Sequence, residues 1–314
     1  MRLVEFSPKL PNEPDYPRFG VLAGDQVIEV GESVRGSLSA FIWQGAPALE
    51  DVRAMYAAYL DGSPPILRGH TRRTFRLDAV RLHPPVQPRT LRDFYAFEQH
   101  VKTANANRGR EVPPEWYHFP VFYYTHAGAL CGDGDSVPQP PYTAALDYEL
   151  EIAAVIGKAG RDISPEAAES HILGFTILND WSARDVQRLE MKVGLGPAKG
   201  KDFAKSLGPC ILTLEALADR RTERHAVFDL SMVARVNGVE RSRGNMADLY
   251  WSFGQMIARA SEAVTLQAGD VIGSGTVGTG CLLELTRGEG PWLQRGDVVE
   301  LEIERIGVLW NVVA

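Results

Sequence analysis

The sequence predicts an α+β, β-rich fold: a small N-terminal β-rich unit followed by a larger one. Three observations carry this. Short runs of β-branched and aromatic residues recur along the chain and end at Gly, Asp or Asn turns. Helical periodicity is confined to a few stretches. A proline-rich join, His83-Pro84-Pro85 through Pro88, separates the first segment from the rest. A chain of 314 residues suits one large domain or two unequal ones. The boundary is placed at residue 88, giving units 1–88 and 89–314.

In the first unit, Met1–Phe6, Arg18–Leu22 and Gln26–Glu29 read as strands, the last two joined at Gly24-Asp25. Ser37–Gln44 and Ala46–Leu60 read as helices, the second with Leu49, Val52, Met55, Tyr56 and Tyr59 at helical spacing. In the second unit, Asp147–Ile156 and Gly174–Leu178 read as strands. Ser164–His171 reads as a short helix with Ser164 as N-cap. Phe228–Val236 and Val239-Glu240 form a hairpin across Asn237-Gly238, a pair suited to the positive φ angles of a tight turn. Met246–Arg259 reads as a helix. Leu266–Val271 and Leu293–Val298 echo one another, each a Gly-Asp turn entering a strand.

The formal net charge of -7 argues against a nucleic-acid or membrane-surface partner, but a locally basic pocket for an anionic substrate is compatible with it. The three cysteines, Cys131, Cys210 and Cys281, have no CxxC spacing, which fits a reducing compartment. Met1–Tyr16 lacks the apolar core of a signal peptide. No apolar run approaches the roughly 18–20 residues needed to span a bilayer. The expectation is a soluble, cytoplasmic protein.

Five stretches carry chemistry. On a strand, Glu149 and Glu151 share one face roughly 7 Å apart. That is either a solvated face or half of a hard-cation site with oxygen ligands. Asp180 ends the apolar strand Gly174–Leu178 and is either a helix N-cap or a ligand. Asp93 and His100 are seven residues apart, so one helical face would carry both, and His100 is either structural or a general base. Lys201, in Gly200-Lys201-Asp202-Phe203, is either an exposed turn lysine or a group that neutralises developing negative charge. A glycine-rich loop from Gly273 to Gly280 runs into an apolar strand holding Glu284, which either faces solvent or orients a histidine.

Together these stretches resemble the fumarylacetoacetate hydrolase family from about Arg92 to the C-terminus. The motifs, in order, are Asp93-Phe94-Tyr95 with His100, Tyr148-Glu149-Leu150-Glu151, Asn179-Asp180-Trp181-Ser182-Ala183-Arg184-Asp185, Gly200-Lys201-Asp202-Phe203 and Gly273-Ser274-Gly275-Thr276. The resemblance implies a mixed β-sandwich roll, usually dimeric, with an SH3-like barrel as one form of the N-terminal unit. It implies that Asp93, Glu149, Glu151 and Asp180 bind a divalent cation, Mg²⁺ first, with Mn²⁺ or Ca²⁺ as alternatives. His100 would be the general base, paired with Glu284. Arg184, Gln187 and Lys201 would surround the reacting carbonyl and carboxylate, and Tyr123, Arg108 and Thr276 would contact substrate. The sequence departs from true fumarylacetoacetases at Met191, where they carry a substrate-contacting tyrosine.

The implied activity is hydrolysis of a carbon–carbon bond in a small anionic β-diketo acid of the fumarylacetoacetate or acylpyruvate type. Two alternatives stand beside it. One is a decarboxylase, isomerase or hydratase of 2-keto or 2-hydroxy-dienoic acids of aromatic catabolism. The other is a non-catalytic protein that binds a small carboxylate.

Overall fold

The apolar strand Leu150–Ile156 is buried at every position and pairs on both edges, antiparallel to Ile172–Asn179 and to Val271–Gly273. Its side chains alternate between two cores, as a pleated strand requires. Leu150, Ile152, Ala154 and Ile156 pack into the larger core. Ala153 and Val155 face a second core shared with Leu38, Ile42, Val52 and Met55 of the N-terminal helices. The computed structural model describes residues 1–9, 16–31, 36–46 and 49–314.

Among the described residues the main sheet has 12 strands. Its central path runs Arg2–Pro8, Lys205–Thr213, Ile172–Asn179, Leu150–Ile156, Val271–Gly273, Leu91–Phe94, Phe122–Thr125. A second sheet of 5 strands, including Gly307–Val313, Val298–Ile303 and Ser231–Val236, supplies the facing half of the larger core through Met232, Ala234 and Leu301. This is a β-rich α+β sandwich, as the sequence predicts. The first three strands are Arg2–Pro8, Arg18–Ala23 and Gln26–Gly31, close to their expected bounds. They extend the main sheet directly, with Arg2 and Leu3 pairing Leu212 and Ile211.

Local chemistry explains most elements. Ser37 caps helix Leu38–Trp43 through a hydrogen bond from the Ala40 amide. Helix Leu49–Leu60 buries Val52 and Met55, while the expected start of this helix includes 47–48, which lie outside the described residues. Asn237 and Gly238 both adopt positive φ in the expected hairpin. The two echoed turns are built alike: Asp270 Oδ2 accepts from the Gln267 amide, and Asp297 Oδ2 from the Gln294 amide. No helix among the described residues is long and apolar enough to cross a membrane.

Four expectations are corrected. The stretch Asp147–Ile156 is two strands, because Leu146–Asp147 leaves the main sheet to pair with Ser182–Ala183. Ser164–His171 forms only a 3₁₀ turn at Ala168–His171. Met246–Arg259 splits into a 3₁₀ turn, Met246–Asp248, and a helix, Phe253–Ser261. Asn245 and Ser252 each build a capping box, so the chain starts twice. Glu284 lies on a short helix, Leu282–Leu285, rather than a strand, because the Leu282 and Leu283 amides turn inward to donate to the Asp147 carboxylate.

Candidate active site

Strand register gathers the carboxylates. Asp93 on Leu91–Phe94 pairs with Gly273 on one side and Tyr123 on the other, while Gly273 also pairs with Ala153. Leu150 pairs with Asn179, so Glu149 and Asp180 flank adjacent strand ends. A Cβ on Gly273 would lie 2.6 Å from Asp93 Oδ1, so glycine there makes room for the carboxylate. Gly275, at φ +77°, donates its amide to the same oxygen at 3.1 Å. Ligand oxygens of Asp93, Glu151 and Asp180 come within 4.8 Å of one another. Glu149 stands beside this cluster, held by Lys201 and by Arg184, whose Nη2 is 2.9 Å from Glu149 Oε1.

The cluster is buried and, with every group ionised, would carry excess negative charge. Five buried carboxylates, Asp93, Asp147, Glu149, Glu151 and Asp180, face three buried cations, Arg184, Lys201 and Lys205, a difference of two charges. Lys201 Nζ is 2.7 Å from Asp180 Oδ2, and Lys205 Nζ is 2.6 Å from Asp180 Oδ1. Burial alone would raise the Asp180 and Glu149 carboxyls. Lys201 and Lys205 together outweigh it at Asp180, and Lys201 and Arg184 together at Glu149, which holds both below their ordinary range. Asp93 and Glu151 go the other way. Burial, then repulsion from Asp180 for Asp93 and from Asp93 for Glu151, pushes both well up. Glu151 Oε2 has no hydrogen-bond partner although it is buried. An orphaned buried carboxylate oxygen within an all-oxygen set that is two charges in excess fits a hard divalent cation.

Across the same cavity, His100 Nδ1 is 2.5 Å from Glu284 Oε1. The Thr279 amide holds the other carboxylate oxygen at 3.1 Å, and the Tyr95 ring packs edge-on to the imidazole at 5.3 Å. His100 sits on helix Glu98–Ala106 while Asp93 sits on a strand, so the two do not share one helical face as expected. A fold-back between them, pinned by the Ala96 amide on Ser274 O, brings both to the cavity wall.

The cavity has a volume of about 260 Å³. Asp93, His100, Glu149, Glu151, Arg184, Gln187, Lys201, Tyr123, Arg108 and Thr276 all line it. Asp180 and Glu284 lie immediately behind: Tyr123 donates to Asp180 Oδ2 at 2.5 Å, and Glu284 backs His100. Lys201 is 4% exposed, so it is not the surface lysine that its turn sequence also allows. Asp180 does not cap the following helix, Arg184–Glu190, whose N-cap is Ala183. Met191, where the resemblance leads one to expect the tyrosine of true fumarylacetoacetases, also lines the cavity.

Two buried residues beside the candidate site escape sequence reasoning. Lys205 is fully buried at the head of strand Lys205–Thr213, and a lysine opening an otherwise uncharged strand is the available signal. Asp147 accepts Arg184 Nε at 2.7 Å and the Leu282 and Leu283 amides at 2.8 and 3.0 Å. It thereby ties Arg184, which lines the cavity, to the helix that carries Glu284.

Known proteins resemble the chain over most of its length. The family model described as fumarylacetoacetate (FAA) hydrolase C-terminal matches residues 89–314. A fumarylacetoacetase of Arabidopsis thaliana is 30% identical over 345 residues, covering 88% of this chain and 82% of its own. A human oxaloacetate tautomerase described as mitochondrial is 32% identical over 323 residues, covering 100% of this chain and 91% of its own. The solved fumarylacetoacetate hydrolase of Exiguobacterium antarcticum superposes with a TM-score of 0.74 at 28% identity, covering 100% of this chain and 99% of its own. The chain therefore belongs to the fumarylacetoacetate hydrolase family of enzymes.

Proposed function

We propose that this protein is a divalent-cation-dependent hydrolase that cleaves a carbon–carbon bond in a β-diketo acid of the fumarylacetoacetate or acylpyruvate type. The observation that carries this reading is the His100–Glu284 pair, which opens onto the same cavity as the carboxylate cluster. Asp93, Glu149, Glu151 and Asp180 would hold the cation, Mg²⁺ first. When bound, it supplies Lewis-acid polarisation of the substrate oxygens and balances the buried negative charge.

The chain's own groups do the rest. Glu284 accepts the Nδ1 proton of His100, which leaves Nε2 with a lone pair toward the cavity. His100 takes a proton from water at Nε2, and the hydroxide adds to the carbonyl carbon. Collapse of the adduct breaks the adjacent C–C bond and leaves one fragment as a carboxylic acid. The bonding pair departs as the enolate of the other fragment, which is then protonated at carbon. Lys201 and Gln187 stabilise the developing oxyanion, where loss of one donor typically costs about 10²–10³ in rate. Arg184, Arg108, Tyr123 and Thr276 orient the substrate's carboxylate and ketone oxygens. All of these groups lie within 89–314, so the proposed catalytic unit begins at residue 89.

The test is hydrolysis of fumarylacetoacetate and acetylpyruvate, with and without EDTA and with Mg²⁺ restored. Metal-dependent cleavage of either supports the proposal. A second reading, keto–enol tautomerisation, draws on the human relative's match to the whole chain. Interconversion of oxaloacetate tautomers by metal-loaded protein that cleaves neither diketo acid would favour it.

A further inference from the structure

Cys281 is a fully buried thiol beside the His100–Glu284 pair, and the proposed reaction gives it no part. It directly precedes helix Leu282–Leu285, so Cys281 and Glu284 are three residues apart and share one face. Helix Glu98–Ala106 brings His100 against that face. Cys281 Sγ lies 3.7 Å from Glu284 Oε1, which in turn lies 2.5 Å from His100 Nδ1. One donor atom from each of the three residues lies within 4.8 Å of the other two. Among the described residues, Cys131 and Cys210 join no such group.

This donor set differs in kind from the carboxylate cluster. Asp93, Glu151 and Asp180 offer oxygen only, which suits Mg²⁺. A thiolate, an imidazole and a carboxylate suit zinc, which is held by three protein ligands where its fourth position is left to water. Tetrahedral zinc, with bonds of about 2.1 Å to nitrogen and oxygen and about 2.3 Å to sulfur, sets an oxygen about 3.6 Å from a sulfur and about 3.4 Å from a nitrogen. The sulfur–oxygen separation already matches, and the His100–Glu284 contact has to lengthen by about 1 Å. The Thr279 amide holds the other Glu284 oxygen at 3.1 Å, which keeps Oε1 directed at the thiol and the ring. Burial, then the charge of Asp147, pushes the Cys281 thiol well up, so it keeps its proton until a cation displaces it.

We propose that His100, Cys281 and Glu284 form an inhibitory zinc site, separate from the carboxylate cluster. Binding releases one proton, that of the Cys281 thiol. Because Nδ1 takes the metal, the single proton of the neutral imidazole moves through water to Nε2. The lone pair that faces the cavity in the proposed reaction is then occupied. The inhibition rests on the hydrolase reading, which makes His100 the base, whereas the binding does not.

The test adds Zn²⁺ to Mg²⁺-loaded enzyme turning over acetylpyruvate and, in a separate sample, Co²⁺ as a spectroscopic probe. Saturating zinc should lower turnover by about 10²-fold, the lower end of a general base's contribution. Excess Mg²⁺ should not restore it. Co²⁺ should give a near-ultraviolet thiolate-to-cobalt charge-transfer band. Cys281→Ser and Cys281→Ala, each checked for folding by Tm, should keep basal turnover, lose the band and need at least about 10–100-fold more zinc for half-inhibition. Unchanged zinc sensitivity in both variants would assign the inhibition to the carboxylate cluster and overturn the site, as would a natural protein without the band. A band lost in both variants, in protein that cleaves neither fumarylacetoacetate nor acetylpyruvate, would retain the site and refute the hydrolase assignment.

Discussion

His100 Nδ1 meets Glu284 Oε1 at 2.5 Å although 184 residues separate them. The carboxylate fixes the ring's orientation, and in the proposed mechanism the two act as one proton-handling unit. His100→Ala should lower the rate by roughly 10²–10⁴ while bound metal, measured by elemental analysis, stays at the natural level. Glu284→Gln should lower it less, because the amide oxygen still accepts the Nδ1 proton. Near-full turnover by His100→Ala would remove His100 from the mechanism.

Lys205 provides a stability test. Its fully buried Nζ lies 2.6 Å from Asp180 Oδ1. Lys205→Met would leave a buried carboxylate short of one partner, with Lys201 as the remaining cation. The expected loss is about 3–5 kcal/mol in urea unfolding of the metal-free protein. A loss below about 1 kcal/mol, the range of an exposed pair, would show that Asp180 does not depend on Lys205.

Cation binding should be linked to proton release. Burial and mutual repulsion raise Asp93 and Glu151 well above the ordinary range, so the metal-free site holds protons that a cation displaces. The sign follows: Mg²⁺ affinity rises with pH. Calorimetry in buffers of different ionisation enthalpy should detect the released protons, and an affinity independent of pH would contradict the arrangement.

Asp133 makes a separate prediction, away from the site. Burial pushes its carboxyl from an ordinary 3.8 up to about 6, although its Oδ1 accepts the Trp310 amide. A carboxyl raised in the folded state contributes stability that is present below its unfolded pKa and lost as pH rises through the folded value. Asp133→Asn keeps the acceptor and removes the ionisation. Its Tm relative to the natural protein should therefore increase as pH rises through about 6 and level off above it. A Tm difference that does not change with pH would sink this prediction.

Much of the architecture was legible along the chain because the signals are local. Ser37 caps the helix that follows it, Asn237-Gly238 turns the hairpin, and the apolar run to Ile156 forms a central strand. The illegible parts arose where a distant residue overrode local pattern. Cys281–Leu285 has a strand's composition, yet Asp147 draws two of its amides into a helical turn. Asp93 and His100 have helical spacing, yet Asp93 is claimed by a sheet through Gly273 and Tyr123.

The β-rich class, the order of the motifs and the residue types able to bind a cation or move a proton are written along the chain, because periodicity, capping and side-chain chemistry reside within short windows. Which alternative each residue realises is set by three-dimensional packing. It buried Lys201 and Lys205 against Asp180, set Glu149 beside the Asp93–Glu151–Asp180 cluster, and brought Glu284 to His100. The physical reason is that charge neutralisation and hydrogen bonding in a desolvated cavity depend on distance in space, which strand register and layer packing set across hundreds of residues.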